Sequence, residues 1–450
     1  MYRKIYEQLK QWKEKSKGET TLLIEGARRV GKSYIVNKFA KAEYRSAIII
    51  DFNNASQELK DLFWHFLDKL PEFFMRLSVL TGVRLYERES LIVFDEVQMF
   101  PQARAALKYL VADGRYDYIE TGSLLSIKEN VRDIVIPSEE HSIKLYPLDF
   151  EEYLMARNET LLIDFLKDCF ANLKSPGGAI QRRAMDLFRE YMIVGGMPQV
   201  VAKFLAKMDF EECDGLKRDI LALYRNDIRK HSNGLSLKVE AIFDAIPSQL
   251  QRHDQPFMLS ALSADARMRT YEEAFMWLQD AMIVNHAFLS TEPSVGLKMN
   301  IDNTRLKCYM ADTGLLISHA FDRNLLASNE VYKKLLLGKM EVNLGMIAEN
   351  IVAQTLCASG HGLYFYTNQS RDDKESRMEI DFLVAKPNLT NRHNICPIEV
   401  KSGKNYTTVS LGKFMNKYAS QLHTPFILHD GDLMVKNGIT FLPFYMAHLL

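Results

Sequence analysis

Residues 26–33 read GARRVGKS, which matches the pattern G-x-x-x-x-G-K-[ST] at every fixed position. The run at residues 21–24 before it is typical of a buried strand, and residues 34–40 after it have helical spacing. A glycine-rich loop between a strand and a helix directs backbone N–H groups and the positive end of the helix dipole toward a bound phosphate. The sequence therefore predicts a phosphate-binding loop in an α/β fold.

The loop predicts a nucleotide site, with ATP and Mg²⁺ as its ligands. Lys32 is expected to reach the β and γ phosphates, and the Ser33 hydroxyl to take one position in the Mg²⁺ shell. A glycine-rich turn that matches by chance is the alternative, and the flanking strand and helix speak against it. The predicted nucleotide-binding residues are Gly26, Arg28, Arg29, Val30, Gly31, Lys32, Ser33 and Tyr34.

A second strand supplies the carboxylates that such a loop needs. Residues 91–96 read LIVFDE, an apolar run that ends in two acids. In a parallel sheet, ligands bind at the carboxyl ends of the strands, so Asp95 is predicted to hold Mg²⁺ through water. Glu96 is predicted to orient and polarise the water that attacks the γ phosphate. The alternative is a strand that ends in two solvated acids.

Two further strands are predicted at residues 47–50 and 116–120. The second is followed by Thr121, Gly122 and Ser123, whose hydroxyls can contact the γ phosphate or the attacking water, as a sensor does; a plain turn is the competing interpretation. Alternation of strand and helix across residues 20–145 predicts a parallel sheet with helices on both faces. The predicted catalytic residues are Lys32, Glu96, Thr121 and Ser123.

Composition sets limits on partners and on compartment. At 450 residues, the chain is expected to contain roughly two to four domains. Lys plus Arg and Asp plus Glu both number 57, so no bulk charge attracts nucleic acid or a membrane. The five cysteines lie far apart in the sequence, and no apolar run is long enough to span a membrane. These features predict a soluble, cytoplasmic protein with reduced thiols.

Five motifs together carry a specific resemblance. They are GARRVGKS, LIVFDEVQMFP, TGS, KLYPLDFEEYL at residues 144–154 and GGMPQVV at residues 195–201. The chain resembles the bacterial and archaeal AAA ATPases that carry a DUF4143 region, known as AAA_14 plus DUF4143, over nearly its whole length. The last two motifs carry most of the identification. The resemblance implies that the first motif recognises ATP, and it makes Arg132 the nearest candidate for an arginine finger.

The middle of the chain is predicted to be helical and then to resemble a winged helix. A helical lid is expected after the ATPase core. Helices at residues 259–262 and 271–281, followed by strands at residues 284–289 and 306–310, give the order of a winged helix. Arg267 and Arg269 would then begin a recognition helix, and Arg305 and Lys307 would lie on the wing. The same helix carries Glu272, Glu273 and Asp280, which repel phosphate, so a structural role is favoured over DNA reading.

The C-terminal part contains a second candidate site. A helix at residues 345–352 provides Glu349, a hairpin provides Asp381, and the strand at residues 397–401 provides Glu399 and Lys401 on one face. This order resembles the PD-(D/E)XK nuclease core. Asp381 and Glu399 would hold a divalent cation, Lys401 would activate water, and Glu349 would complete the acidic shell. A salt-bridged pair on a solvated strand and a nuclease-like fold that only binds DNA are the alternatives.

The sequence thus predicts four domains. They are a P-loop core at residues 1–148, a helical lid at 149–232, a winged-helix-like domain at 233–335 and a nuclease-like domain at 336–450. Lys404, Lys413 and Lys417, with Tyr406 and Tyr418, provide a further basic face that either lines a phosphate backbone or is simply solvated.

The predicted function is that of an ATP-binding, ATP-hydrolysing switch whose C-terminal domain binds DNA. One alternative is an ATP-regulated, metal-dependent DNA nuclease. The other is a nucleotide-binding scaffold that does not hydrolyse ATP. A protein partner and the oligomeric state are left open.

Overall fold

The computed structural model describes residues 1–122, 139–232, 234–252, 256–294, 296–321, 344–368, 376–386, 394–403 and 406–450. The chain forms two compact units. The first comprises Met1–Tyr146 with Asp280–Met282, and the second comprises Pro147–Gln279 with Ile283–Leu450.

Strands and helices alternate through the first unit, as the sequence predicts. Phosphate-loop residues 26–31 connect the first strand to the second helix. The elements are α1 Ile5–Ser16, β1 Thr21–Glu25, α2 Lys32–Glu43, β2 Ser46–Asp51, α3 Gln57–His65, α4 Leu70–Thr81, β3 Ser90–Asp95, α5 Pro101–Asp113, β4 Asp117–Gly122 and β5 Glu140–Lys144.

The five strands form one parallel sheet in the order β2-β3-β4-β1-β5. Apolar side chains cover both faces, since one face packs a cluster around Phe52, Phe63 and Phe94 and the other a cluster around Ile35 and Phe39. This arrangement confirms the predicted parallel α/β fold. Because β4 lies between β1 and β3, the ends of these three strands meet at one edge of the sheet.

The second unit begins with helices and continues with a mixture of strands and helices. Its helices are α6 Phe150–Ala156, α7 Thr160–Ala171, α8 Gly178–Val194, α9 Pro198–Lys207, α10 Phe210–His231, α11 Ser236–Leu250, α12 Met268–Asp280, α13 Thr313–Ala320, α14 Leu344–Ala358 and α15 Val409–Tyr418. Its strands are β6 Val284–Ser290, β7 Ile301–Met310, β8 Leu363–Asn368, β9 Met378–Ala385, β10 Ile395–Lys401, β11 Phe426–His429, β12 Met434–Lys436 and β13 Ile439–Pro443.

The strands of the second unit form a single mixed sheet in the order β12-β13-β11-β10-β9-β8-β6-β7. The hairpin predicted as a wing, β6 with β7, forms one edge of this sheet, because β6 pairs in parallel with β8. The helix predicted at residues 259–262 is wrong, since only the three-residue 3₁₀ helix Leu259–Ala261 forms there. Lys307, which was predicted to lie on the wing, is a buried residue of β7.

The GGMP motif packs closely against two other segments of the second unit. Gly195 ends α8 with φ of 81°, and a Cβ at this position would lie 2.4 Å from Asp312 Oδ1. The Gly196 N–H donates to Asp312 Oδ2 at 2.6 Å, and its carbonyl accepts from the Leu148 N–H at 2.7 Å. Gly195 is favoured by its positive φ and by the nearby Asp312 side chain, and Gly196 by the Leu148 backbone, whose carbonyl oxygen would lie 2.2 Å from a Cβ. The two most specific motifs of the sequence therefore contact each other.

All five cysteines lie among the described residues, and none of them forms a disulfide. They are Cys169, Cys213, Cys308, Cys357 and Cys396. In the described part of the chain, none of the helices has the length and apolar character needed to cross a membrane.

Candidate nucleotide site and acidic cluster

The phosphate loop follows β1 and ends where α2 begins. Gly31 precedes the first helical residue with φ of 95°, a left-handed conformation that glycine adopts without strain. Among the described residues, no side chain caps this helix end. The first-turn N–H groups and the helix dipole therefore provide a site for an anion.

Lys32 lies in this loop as a buried cation. Its side chain is 7% exposed, and its ammonium donates to the carbonyl oxygens of Gly26 at 2.8 Å and Ala27 at 3.2 Å. Burial lowers the pKa of Lys32, although the nearby Glu96 and Asp95 partly oppose this shift. Because carbonyl groups are neutral, they satisfy the donors of Lys32 without cancelling its charge.

Close packing fixes the course of the loop. A Cβ on Gly26 would lie 2.6 Å from the carbonyl oxygen of Leu145, so only glycine fits there without a backbone shift. The buried Arg3 guanidinium donates to the Val30 carbonyl at 3.0 Å and to the Tyr146 carbonyl at 2.5 Å. Sequence reasoning missed Arg3, which anchors the loop from a distant position in the chain.

The predicted magnesium ligands contact each other at the ends of neighbouring strands. Ser33 Oγ donates to Asp95 Oδ1 at 3.0 Å, and Thr121 Oγ1 donates to the same oxygen. Hydroxyl and carboxylate oxygens suit Mg²⁺, which keeps several waters and takes its other ligands from phosphates. No group of three or more His, Cys, Asp or Glu side chains is arranged to hold a metal ion within the described ranges. A nucleotide-dependent Mg²⁺ site does not need such a group.

Glu96 adopts a left-handed conformation with φ of 53° directly after β3. Its N–H donates to Thr121 Oγ1 at 3.4 Å, and its Oε2 accepts from the buried Gln98 Nε2 at 2.5 Å. Gln98 was not predicted from the sequence, although it lies only two residues after Glu96. It holds the carboxylate that is expected to act on water.

The remaining predicted nucleotide-site residues differ in their exposure to solvent. Arg28 and Arg29 are exposed at the loop, Val30 is buried in the core, and Tyr34 is 58% exposed on α2. Ser123, a predicted sensor, and Arg132, the predicted arginine finger, lie outside the described residues.

The predicted nuclease-site residues lie on three neighbouring elements of the second unit. Lys401 Nζ lies 3.1 Å from Glu399 Oε2 on β10. Asp381 on β9 accepts the Val400 N–H at 2.8 Å, which places its carboxylate beside the same strand. Glu349 is buried on α14, and its charge raises the pKa of Asp381. The structure therefore brings all four residues to one region of the sheet.

Two residues that sequence reasoning did not assign to this site also lie in it. Lys307 Nζ lies 3.1 Å from Glu379 Oε1 and 3.7 Å from Glu349 Oε2. Tyr309 OH donates to Glu349 Oε2 at 3.1 Å. Lys307 and Tyr309 are two residues apart on β7, so their side chains lie on the same face of the strand. Nothing in the sequence indicated which helix or strand packs against this face.

The carboxylates and the lysine affect each other's protonation. Burial and the neighbouring Glu349 together raise the pKa of Asp381 to about 7, against the opposing effect of Lys307. Desolvation alone would lower the pKa of Lys307, but the surrounding Tyr309, Glu349, Glu379 and Asp381 raise it well above its ordinary value. Lys307 is therefore charged in the folded protein.

The predicted basic face near α15 is partly occupied by internal contacts. Lys417 Nζ donates to Tyr366 OH at 3.3 Å, and Lys413 Nζ donates to the Arg377 carbonyl at 3.3 Å. Tyr406 OH is 3.1 Å from His429 Nδ1, and Tyr418 OH is 3.0 Å from Tyr366 OH. Lys404 lies outside the described residues.

Three family models match the chain. The AAA_14 model, an AAA domain, matches residues 18–154. DUF4143, a domain of unknown function, matches residues 344–446, and DUF8612, another domain of unknown function, matches residues 185–325. The sequence motifs did not anticipate the DUF8612 region.

Several solved structures are also similar to this chain. A Walker-type ATPase of Pyrococcus abyssi has 15% identity and a TM-score of 0.40, with coverage of 70% of this chain and 94% of its own. The ORC1 protein of Aeropyrum pernix, solved with DNA, has 12% identity, a TM-score of 0.27 and coverage of 75% and 93%. AMPPCP-bound DnaA from Aquifex aeolicus has 14% identity, a TM-score of 0.27 and coverage of 62% and 77%. A comparison with curated proteins finds no match.

The parallel sheet, the loop geometry and the AAA match define the class of the first unit, an AAA-type ATPase. More narrowly, the chain combines an AAA_14 domain with a DUF4143 region, which confirms the predicted resemblance. The nuclease-like and winged-helix-like assignments and the four domain boundaries remain predictions.

Proposed function

We propose that the first unit binds ATP with Mg²⁺ and hydrolyses it at the loop of residues 26–33. The observation that carries this proposal is the convergence of Ser33 and Thr121 on one oxygen of Asp95, next to the buried Lys32. A phosphate-binding loop, metal-binding oxygens and a second acid on the adjacent residue, Glu96, are the parts that phosphoryl transfer to water requires.

Each residue has a separate role in this proposal. Lys32 and the first-turn N–H groups of α2 bind the β and γ phosphates and stabilise the charge that develops on them. Ser33 and Asp95 hold Mg²⁺, which draws negative charge from the phosphates when it is bound. Glu96 orients the attacking water, and Gln98 holds the Glu96 carboxylate in position.

The test is ATP turnover by the Glu96→Gln variant. This change keeps the size of the side chain and removes the charge that polarises water, so we expect ATP binding to persist and turnover to fall by roughly 100-fold or more. Glu87→Gln, at an exposed position of the same unit, is the matched control. Normal turnover in Glu96→Gln would contradict the role of Glu96. Wild-type protein that binds ATP but releases no phosphate would instead support the scaffold alternative.

The same proposal includes a switch that acts on a partner, with DNA as the first candidate. Lys413 and Lys417 lie one turn apart on α15, near Tyr418, and basic and aromatic side chains together suit a phosphate backbone. ATP turnover measured with and without single- and double-stranded DNA, at low and high salt, tests this part. Stimulation that weakens with salt supports it, whereas unchanged turnover and no binding reject DNA as the partner.

Metal-dependent DNA cleavage is a second candidate because Asp381, Glu399 and Lys401 lie together in the second unit. It predicts Mg²⁺- or Mn²⁺-dependent cutting that Asp381→Ala and Lys401→Ala abolish. We do not favour cleavage, because the Lys307 ammonium lies 3.7 Å from Glu349, one of the carboxylates that would surround the metal ion, and is also paired with Glu379 at 3.1 Å.

A further inference from the structure

Lys307 is the central cation of the acidic cluster in the second unit. Its side chain is 4% exposed, and its ammonium lies 5.4 Å from the centre of the Phe365 ring on β8. The ammonium lies between Glu349 on α14 and Glu379 on β9, at 3.7 Å and 3.1 Å from their nearest oxygens. Residues on three different elements therefore converge on one positive charge.

These contacts do not fit a divalent cation. Mg²⁺ binds oxygen at about 2.0–2.1 Å and Ca²⁺ at about 2.3–2.6 Å, so an ion held by Glu349 together with Asp381 would lie close to the Lys307 ammonium, which is 3.7 Å from Glu349 Oε2 and interacts electrostatically with Asp381. Two such charges repel each other strongly in a buried environment. In the described part of the chain, no three acidic, histidine or cysteine side chains are arranged around a common point that a metal ion could occupy.

The other polar groups of the cluster are consistent with this arrangement. Asp381 accepts the backbone N–H of Val400 at 2.8 Å, which uses one of its oxygens in holding β9 to β10. Tyr309 OH donates to Glu349, and Lys401 pairs with Glu399. Each carboxylate of the cluster thus has a partner supplied by the chain itself.

We propose that the Lys307 ammonium takes the place of a divalent cation in this cluster. The C-terminal region then keeps the residue order of a nuclease while its acids hold the sheet and α14 together through Lys307. Such a region binds no catalytic metal ion and does not cleave DNA by a metal-dependent route. This proposal concerns the second unit and does not depend on ATP hydrolysis by the first.

The test is Mn²⁺ binding to the nucleotide-free, full-length protein, followed by the electron paramagnetic resonance signal of free Mn²⁺. We expect wild type and Asp381→Asn to bind Mn²⁺ equally weakly, since no site depends on Asp381. Lys307→Met removes the ammonium and leaves the carboxylates, so we expect it to gain a Mn²⁺ site at least tenfold tighter than any in wild type. Lys436→Met, at an exposed position on β12, is the control and should behave as wild type.

Either of two results would overturn the proposal. One is a Mn²⁺ site in wild type that Asp381→Asn or Glu349→Gln removes, together with a rise in melting temperature that only wild type shows with Mn²⁺. The other is a folded Lys307→Met variant that binds no more Mn²⁺ than wild type. If Lys307→Met does not fold, the comparison of wild type with Asp381→Asn and Glu349→Gln still decides the question.

Discussion

Lys32 and Lys307 are both buried, yet their surroundings differ. Lys32 in the phosphate loop donates to the neutral carbonyls of Gly26 and Ala27, and burial lowers its pKa. Lys307 lies between the carboxylates of Glu349 and Glu379, which help to raise its pKa. Neutral carbonyl groups accept the hydrogen bonds of Lys32, so these contacts do not compensate its positive charge. The positive charge of Lys307 is compensated by carboxylates of the same chain.

This difference separates a site that attracts a ligand from one that is already complete. A buried charge is stable only when an opposite charge or several hydrogen bonds compensate it. At Lys32, the phosphates of a nucleotide provide the missing negative charge, so binding is favourable. At Lys307, an added cation would compete with an ammonium already in place. The following predictions test this comparison in order of decreasing effect.

The largest expected effect is on stability. Lys307→Met leaves Glu349 and Glu379 buried without their cation, so we expect it to lower the free energy of unfolding by about 3–5 kcal/mol. Lys32→Met removes a buried charge that Glu96 and Asp95 compensate only in part in the nucleotide-free state, so it should leave stability unchanged or raise it. Denaturant unfolding of nucleotide-free protein measures both. Equal losses in the two variants would remove the distinction between the lysines.

The next effect is on catalysis. Lys32→Met removes the ammonium that contacts the phosphates, and we expect ATP turnover to fall by roughly 100- to 1000-fold. The control is Lys41→Met, at an exposed position near the end of the same helix, which should retain turnover. Substantial turnover in Lys32→Met would show that the loop does not act as proposed.

A smaller effect concerns the pH dependence of stability. Asp381 has a pKa of about 7 in the folded protein against 3.8 in the unfolded chain, so folding takes up a proton between these values. Its contribution to stability therefore falls as pH rises through this window, by at most about 1.4 kcal/mol per pH unit. Asp381→Asn does not titrate, so it should gain stability relative to wild type as pH rises.

Unfolding measured across this pH window tests the prediction. Asp265→Asn, at an exposed position in the same unit, should keep the wild-type slope. An unchanged slope in Asp381→Asn would show that Asp381 is ionised throughout this pH window.

The smallest effect is expected at Gln98. Gln98→Ala removes the hydrogen bond to Glu96, which is worth about 0.5–1.5 kcal/mol, so kcat should fall by about 2- to 12-fold while ATP affinity is retained. Gln102→Ala, in the following helix, is the control. A loss of ATP affinity with unchanged kcat would place Gln98 in binding and not in the positioning of Glu96.

The residues of the proposed nucleotide site could be selected from the sequence because their signals are local. The loop, the first turn of α2 and the acids after β3 each lie within a few residues, and the order of a parallel sheet brings them to one edge. Arg3 and Gln98 were not predictable, because they act through contacts that only the folded chain creates. Arg3 gives no signal in the sequence beyond being one basic residue among many.

The acidic cluster was predictable only in part. The sequence predicted the β6 and β7 hairpin, and alternation put Lys307 and Tyr309 on one face. The alternation of side chains along β7 does not tell which face of the strand is buried. Burial depends on the pairing of β6 with β8, and β8 lies far along the chain. The helix predicted at residues 259–262 failed because four residues with two leucines give too short a pattern to distinguish a helix from a single turn.

The two sheets differ in when they can be completed during synthesis. All five strands of the first sheet lie before residue 145, so that sheet can form early. The second sheet contains strands from Val284–Ser290 to Ile439–Pro443, so it cannot be completed until almost the whole chain has been synthesised. Translation of residues 145–450 takes roughly 15–60 seconds at about 5–20 residues per second. The hairpin of β6 and β7 ends at Met310 and β8 ends at Asn368, so for roughly 3–12 seconds of this interval the hairpin lacks its neighbour β8 and offers an open, partly apolar edge. The nascent second unit is therefore the part of this protein most in need of chaperone protection.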